Sequence, residues 1–465
     1  MADVLLVKPN YAHDIAITPP MGLCYIAATL EEEGFRVSII DNTLERIDDD
    51  KLGERIRQEN PQMIGVYSST PIIYEALKVA RQAKKQNTKI HVCMGGPHPS
   101  AIPEEVLAEQ SVDSVCIGEG EGVVVDLMET LSPGTFDKVE GLAYRESDGG
   151  IVKNKVRPVI DDLDDIPFPA IHLLKVEEYF SKSRTYGVDT RSPRNLPVMS
   201  TRGCPNQCTF CQRFLGNKFR RRSPGNVVDE IEELAKKYRL DEIHFIDDNF
   251  TLIKEYSMDV CDEMLSRRIG VQFKFPNGVR EDRVDAELLD KLRETGCYAL
   301  DFGIESGSQK VLDLMRKGKK TGEIREKVLL TKKKGFHLTA SFLFGTPGET
   351  ISDMEETIRF AKSLPLDGCD FGIITPYPGT QVYLTALEKN YLVHREYDKY
   401  VPTLGICKPA LRTEDWTPED LTQIQKKAFR EFYCRPKYIA SAIPNMLNPS
   451  KLRKYAGFLY NSMRK

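Results

Sequence analysis

The feature that most restricts the fold of this chain is an alternation that runs through it twice: short, continuous apolar runs separated by segments of helical period. In the first series the runs are Val4 to Val7, Val37 to Ile40, Met63 to Tyr67, His91 to Met94 and Ser114 to Ile117, with helical segments near 21–33, 50–58, 73–85, 103–109 and 121–130. Uninterrupted apolar strands that each lead into a helix predict a parallel, doubly wound, Rossmann-like sheet, because strands covered on both faces have no polar side. Ligands of such sheets lie beyond the carboxyl ends of the strands. Those ends carry Ser68, Ser69 and Thr70, then Gly95, Gly96, Pro97 and His98, then Gly118, Glu119, Gly120, Glu121 and Gly122. Residues this small let a large ligand approach the backbone, so this edge is expected to be a binding platform.

A hairpin is expected next, Gly141 to Tyr144 with Ile151 to Val156, joined through Ser147-Asp148-Gly149-Gly150. The acidic, proline-containing stretch Asp161 to Pro169 reads as a linker. The second series has strands at Pro197–Ser200, Glu242–Ile246, Gln272–Phe275, Tyr298–Ile304, Leu338–Phe344 and Gly372–Thr375, with helical segments between them. Six strand-helix units suit a partial (β/α)6 barrel, although the pattern does not by itself separate a barrel from a second open sheet. The expected division is α/β throughout: a sheet domain over 1–135, hairpin and linker over 136–190, a barrel over 191–390, and a mostly helical cap over 391–465. The last basic and aromatic segment, Lys451 to Tyr460, reads as a helix docked on its own barrel in preference to a lipid surface.

Composition narrows the function. A length of 465 residues suggests about three units. Basic and acidic residues number 65 and 69, for a net charge of −4, which gives no electrostatic footprint for nucleic acid. No apolar run reaches the ~18 residues of a membrane span, and Met1-Ala2-Asp3 leads straight into a strand, so a cytoplasmic protein is expected. Eleven cysteines, an odd number, point to reduced thiols or metal ligation.

Three of those thiols, Cys204, Cys208 and Cys211, stand within eight residues just after the first strand of the second series. Three thiolates on one loop can hold three irons of a [4Fe–4S] cluster and leave the fourth open to substrate chemistry. A structural zinc site takes four ligands, usually in pairs, and no second pair follows. The CxxxCxxC spacing after a strand, preceded by Thr201-Arg202-Gly203 and including Phe210 and then Gln212, closely resembles the radical S-adenosylmethionine (SAM) superfamily. The resemblance implies that SAM chelates the open iron and that the reduced cluster cleaves it to a 5′-deoxyadenosyl radical. It also places SAM contacts at later strand ends: Asp247-Asp248-Asn249-Phe250, Asn277 to Arg280, Glu305 with Ser306-Gly307-Ser308, and Ser341 to Pro347 including Gly345 and Thr346. Glu305 can accept from ribose hydroxyls or the amino group, Arg280 can pair with the carboxylate, and Gly345 allows backbone contact near adenine. Tyr377, at the end of the sixth strand, is a candidate for orienting substrate or relaying a proton; a structural aromatic is the equal alternative.

The amino-terminal motifs Thr18-Pro19-Pro20-Met21-Gly22, Gly95 to His98 and Gly118 to Gly122 resemble the cobalamin-binding domain of cobalamin-dependent radical SAM enzymes. One departure is that no Asp-x-His-x-x-Gly motif is present: neither His13 nor His98 fits, so cobalt is expected to lack that histidine ligand, and His98 is expected to shape its loop. Cys24, Cys93 and Cys116 could mark a second cluster, as in methylthiotransferases, but two of them lie inside apolar strands and read as core residues. Cys407 and Cys434 could lie near the active-site mouth, and Arg220-Arg221-Arg222 reads as a solvated or linker-contacting face.

The resemblance therefore implies three cofactors, a [4Fe–4S] cluster, SAM and cobalamin, and methylation of an unactivated carbon. By analogy one SAM methylates cob(I)alamin and a second yields the radical that activates the substrate, with electrons from a reductant such as ferredoxin or flavodoxin. A protein or peptide side chain is one candidate substrate; natural products, lipids and tetrapyrroles are others. The alternatives, in order, are rearrangement or cyclisation on the same cofactors, methylthiotransfer, and non-catalytic cobalamin binding. Cys208→Ala is expected to abolish the visible absorbance of the cluster and leave cobalamin binding intact, as read by anaerobic reconstitution and equilibrium dialysis.

Overall fold

The computed structural model describes residues 2–11, 17–132, 134–182, 190–400, 408–436 and 438. His13, Cys407 and the segment 451–460 lie outside the described residues. The chain forms two compact units, one of residues 1–205 with 212–244 and one of 206–211 with 245–465.

The first unit contains a seven-stranded sheet built from β1 (Val4–Lys8), β2 (Val37–Asp41), β3 (Met63–Tyr67), β4 (His91–Gly95), β5 (Ser114–Cys116), β6 (Leu142–Arg145) and β7 (Ile151–Lys153). Its order is β2-β1-β3-β4-β5-β6-β7. Strands β1 to β5 pair in parallel and the β6/β7 hairpin adds antiparallel to β5. The order reverses between β1 and β3, which makes the sheet doubly wound with a switch point there. The runs read as fully covered strands are so: Val4 to Val7 are each at most 1% exposed.

After residue 195 come β8 (Asn195–Val198), the short ladder of β9 (Thr201–Arg202) with β10 (Arg220–Arg221), β11 (Glu242–Phe245), β12 (Gln272–Lys274), β13 (Cys297–Glu305), β14 (His337–Phe344) and β15 (Gly368–Ile373). The second sheet runs β15-β14-β13-β12-β11-β8, in unbroken chain order, and β12 to β15 pair in parallel. An order without reversal is what a singly wound partial barrel requires, and it settles the choice the pattern left open. Strand β14 shows the two faces: Leu338, Ala340, Phe342 and Phe344 are buried, while the alternate Thr339, Ser341 and Leu343 are partly open.

Three expectations change. The first barrel strand lies two residues earlier than Pro197–Ser200, because the antiparallel ladder takes Thr201 and Arg202. The last begins at Gly368 instead of Gly372; Asp370 interrupts the apolar run but sits on the open face between buried Cys369 and Phe371. The stretch Asp161–Pro169 is ordered chain, with a 3-10 turn at Leu163–Asp165, a buried Leu163, and an Asp164 carboxylate that accepts from the Ser223 N–H at 2.8 Å.

In the second unit Gly307 packs so tightly on the helix Ile351–Ser363 that an added Cβ would overlap Phe360. Gly307→Ala is expected to destabilise by about 1–3 kcal/mol through overpacking. Gly322→Ala, where an added Cβ meets nothing within 4 Å, is the control and should leave the apparent Tm unchanged or slightly raised.

Candidate cofactor sites

In the first unit the carboxyl edge of the sheet gathers most of the expected residues. The Ser68 N–H donates to Gly95 O at 2.8 Å, the Ser68 carbonyl accepts from the His98 N–H at 3.4 Å, and the His98 Nδ1 lies 3.2 Å from Thr70 Oγ1. Gly96 has φ +108°, and a Cβ there would stand 2.6 Å from Ser68 O, so the two loops can close only on glycine. His98 is fully buried, and burial pushes its imidazole down to about 4, so it is neutral and shapes the loop. Thr18, Pro19 and Pro20 lead into the helix Met21–Glu32, with Lys8 Nζ donating to Thr18 O at 3.2 Å. Gly22 and Gly118 face open space, with nothing within 4 Å of an added Cβ, and the Gly118 N–H donates to Ser100 Oγ at 3.0 Å.

Glu119 and Glu121 are both engaged by buried arginines. Glu119 accepts from Arg202 at 3.0 Å, from Arg220 at 2.9 and 2.8 Å, and from the Ile160 N–H at 2.9 Å; Glu121 accepts from Arg202 at 2.7 Å. All four side chains are at most 7% exposed. Arg220 is therefore not a solvated face, and Arg222 is buried against Glu230, Asn226 and Met199 O; of the three arginines only Arg221 is exposed. Arg220 does touch the former linker, donating to Ile160 O at 2.6 Å. The Cys204 N–H donates to Gly216 O at 3.4 Å, and Gln212 is half-buried.

In the second unit a charged cluster surrounds the cysteine segment. Cys208 is buried and Cys211 exposed, and neither is in a disulfide. Lys317 Nζ donates to Glu305 Oε1 at 2.9 Å and lies 5.6 Å above the Phe210 ring. Burial works to lower the Lys317 ammonium, yet Glu305 and the Cys208 sulfur raise it overall. Arg280 donates to Asp282 at 2.9 and 3.2 Å and to Lys317 O at 2.8 Å, and it too feels Cys208. Glu305 ends β13 in the left-handed region at φ +70°. The Asn277 amide donates to Ile246 O at 2.7 Å, and Ser341 Oγ lies 3.4 Å from the Asp301 carboxylate. Asp248 is exposed beside Asn249, which is buried with neither amide atom partnered among the described residues; Thr251 Oγ1 and Thr346 Oγ1 are buried and unpartnered likewise. Buried polar atoms are normally satisfied, so these await a ligand or water. Tyr377 donates its hydroxyl to Tyr400 O at 2.9 Å.

Residues 12–128 match the B12 binding domain and residues 198–361 the radical SAM superfamily. An uncharacterised methyltransferase of Pyrococcus horikoshii, PH0819, is 34% identical over 430 residues, covering 91% of this chain and 90% of that protein. The chain belongs to the B12-binding radical SAM family. The anaerobic magnesium-protoporphyrin IX monomethyl ester cyclase of Rubrivivax gelatinosus is 29% identical, over 87% of this chain and 73% of its own. The radical SAM methyltransferase TsrM of Kitasatospora setae shares the fold, with a TM-score of 0.70 at 21% identity over 83% of this chain and 78% of that one.

A radical SAM enzyme with a B12-binding domain uses a [4Fe–4S] cluster, SAM and cobalamin, and the residues of this family member fit all three. Three free thiols stand at the cluster motif, and the positive Lys317 and Arg280 near Cys208 would offset the charge of a cluster held there. The orphaned polar atoms of Asn249 and Thr346 lie in the strand-end motifs expected to meet SAM, and that of Thr251 directly follows one of them. Open glycine faces edge the B12-binding sheet. Among the described residues no three His, Cys, Asp or Glu side chains lie close enough to hold one metal ion. Cys24, Cys93 and Cys116 are buried core thiols, with Cys93 pushed up to about 11 by burial. Among the described residues no helix is long and apolar enough to cross a membrane.

Sequence reasoning missed Lys317, Lys319 and Glu349. The two lysines sit in Arg316-Lys317-Gly318-Lys319, which looks like a solvated run; yet Lys319 is buried on Glu281. Glu349 accepts from the Gly345 and Thr346 N–H groups at 2.7 and 2.9 Å, and burial pushes its carboxyl up to about 8. The spacing of four from Gly345 was the available signal, since a carboxylate there can turn back on the strand end. Below the ordinary value of 4.5 both folded and unfolded chains hold this proton, and between 4.5 and about 8 only the folded chain does. The unfolded state is therefore favoured as pH rises through that window, by on the order of a few kcal/mol. The apparent Tm of Glu349→Gln should fall less between pH 5 and pH 8 than that of the parent chain.

Proposed function

We propose that this chain is a cobalamin-dependent radical SAM C-methyltransferase acting on an unactivated carbon, with a protein or peptide side chain as the substrate class. The observation that carries the reading is the joining of a strand-end charged site, Glu305 and Lys317 beside Phe210 and Cys208, to a B12-binding sheet domain in a chain 34% identical to a methyltransferase. When bound, the cluster and SAM supply a 5′-deoxyadenosyl radical, and cobalamin supplies the methyl group.

The residues of the chain bind, orient and exclude water. Cys204, Cys208 and Cys211 hold the cluster. Lys317 and Arg280 are the cations available to the SAM carboxylate, and Glu305, already oriented by Lys317, is the acceptor for its ribose or amino group. The Gly345–Thr346 strand end, whose N–H groups are held by Glu349, is assigned to the adenine by its place after β14. Asn249, Asn277, Gly307 and Ser341 complete the strand ends, with Phe210, Gln212 and Asp248 at the margins. Cobalamin is cradled by the Thr18–Gly22, Ser68–Thr70 and Gly95–His98 loops and by the backbone of the Gly118–Glu121 turn, whose two carboxylates point instead to Arg202 and Arg220. Tyr377 orients substrate; its bond to Tyr400 O fixes the ring for that task. The setting is cytoplasmic, with a ferredoxin or flavodoxin as reductant.

The Rubrivivax gelatinosus relative favours a second reading, cyclisation without net methyl transfer. Anaerobic turnover with reductant, cobalamin and a candidate substrate set distinguishes them. Methyl transfer gives both 5′-deoxyadenosine and S-adenosylhomocysteine with a methylated product. Deoxyadenosine alone would favour cyclisation, and neither product would sink both readings.

A further inference from the structure

Strands β9 and β10 close the loop that carries Cys204, Cys208 and Cys211, and the ladder places Arg202 directly opposite Arg220. Both guanidiniums are buried. Like charges paired across a ladder repel, and burial removes the water that would screen them. Glu119 lies against both, with three bonds of 2.8 to 3.0 Å, and Glu121 adds a second carboxylate on Arg202 at 2.7 Å. Two cations thus meet two anions, and neutrality depends on a turn that follows β5 in the sheet domain. The same arginine grips the return of the loop: Arg220 donates to Leu215 O at 2.7 Å. Gly203, between Arg202 and Cys204, has φ +80° and its missing side chain is filled by the carbonyls of Leu215, Gly216 and Lys218. Any shift of Arg202 or of that return passes through Gly203 to Cys204.

We infer that Glu119 is a positioning residue of the cluster loop, acting through Arg202 and Arg220 and not by contact with the corrinoid. The inference rests on the proposed cluster at Cys204, Cys208 and Cys211, and formation of that cluster by the unaltered chain tests the underlying reading separately.

The test uses the full chain, reconstituted anaerobically with iron and sulfide, as parent, Glu119→Gln, and Glu119→Gln with Arg220→Gln. Far-UV circular dichroism reports folding, bound iron and the EPR spectrum of the reduced cluster report the loop, and titration with hydroxocobalamin reports the corrinoid site. Glu119→Gln leaves one buried guanidinium unbalanced, so it should lose bound iron and the SAM-induced change in the EPR spectrum. Removing the Arg220 charge as well restores neutrality, so the double variant should recover both signals. A Glu119→Gln protein with the parent spectrum would overturn the proposal. So would a double variant with losses as large as the single's, or weakened cobalamin binding in both variants with unchanged EPR. Should Glu119→Gln fail to fold, a double variant that folds supports the charge argument, and one that also fails refutes it.

Discussion

Two buried arginines facing each other across a ladder of two residues set the condition on which the cysteine loop depends. Bringing a guanidinium out of water costs several kcal/mol even after relaxation, and a second one opposite adds repulsion. The loop can close only if carboxylates arrive with it, and Glu119 and Glu121 reach it from a turn about eighty residues earlier in sequence. Breaking one member of such a set typically costs ~3–5 kcal/mol, because the others stay buried and unbalanced. The glycines around those glutamates keep the turn narrow; Gly120 already has Ile26 where a Cβ would go. One turn therefore serves two ends, an open glycine face toward the ligand edge and two carboxylates turned inward.

The two sheets show how connectivity alone can produce different sites from one repeating unit. In the first, chain order reverses between β1 and β3, which parts the loops after neighbouring strands and leaves a crevice along the carboxyl edge. In the second, order never reverses, so successive strand ends follow one another around a single mouth. Asn249, Arg280, Glu305 and Thr346 come from four successive strand ends, although they are scattered over about a hundred residues of sequence.

Much of this was legible because strands covered on both faces write themselves as uninterrupted apolar runs. Met63–Tyr67 and the helices Ile73–Gln86 and Glu121–Thr130 stand where periodicity puts them, to within a residue at the ends. The failures have physical causes. A strand of two residues, such as β9, has no period to detect. Asp370 in β15 broke an apolar run because it faces the open side of the sheet. Charged residues are the least legible: Arg220, Arg222, Lys317 and Lys319 stand in basic runs, and only their partners, Glu119, Glu230, Glu305 and Glu281, explain their burial. Long-range charge pairing leaves no local pattern, so a basic run tells nothing about its counter-ions.

The near-equality of 65 basic and 69 acidic residues is mostly that of a surface mixture, since most of the ion pairs are solvated. A few opposite charges are nonetheless matched inside the protein, at the cysteine loop and beside Cys208. Burial makes such pairs costly and therefore unforgiving of geometry, whereas a solvated pair tolerates many arrangements at little energy. Radical chemistry needs that intolerance, since a misplaced partner lets a reactive intermediate attack the wrong bond. The polar face of β14, where Asp301 holds Thr339 and Ser341 and burial pushes its carboxyl up to about 6, follows the same rule. Inside this barrel a charged group is kept where other groups fix its position, and substrate is left to fit what remains.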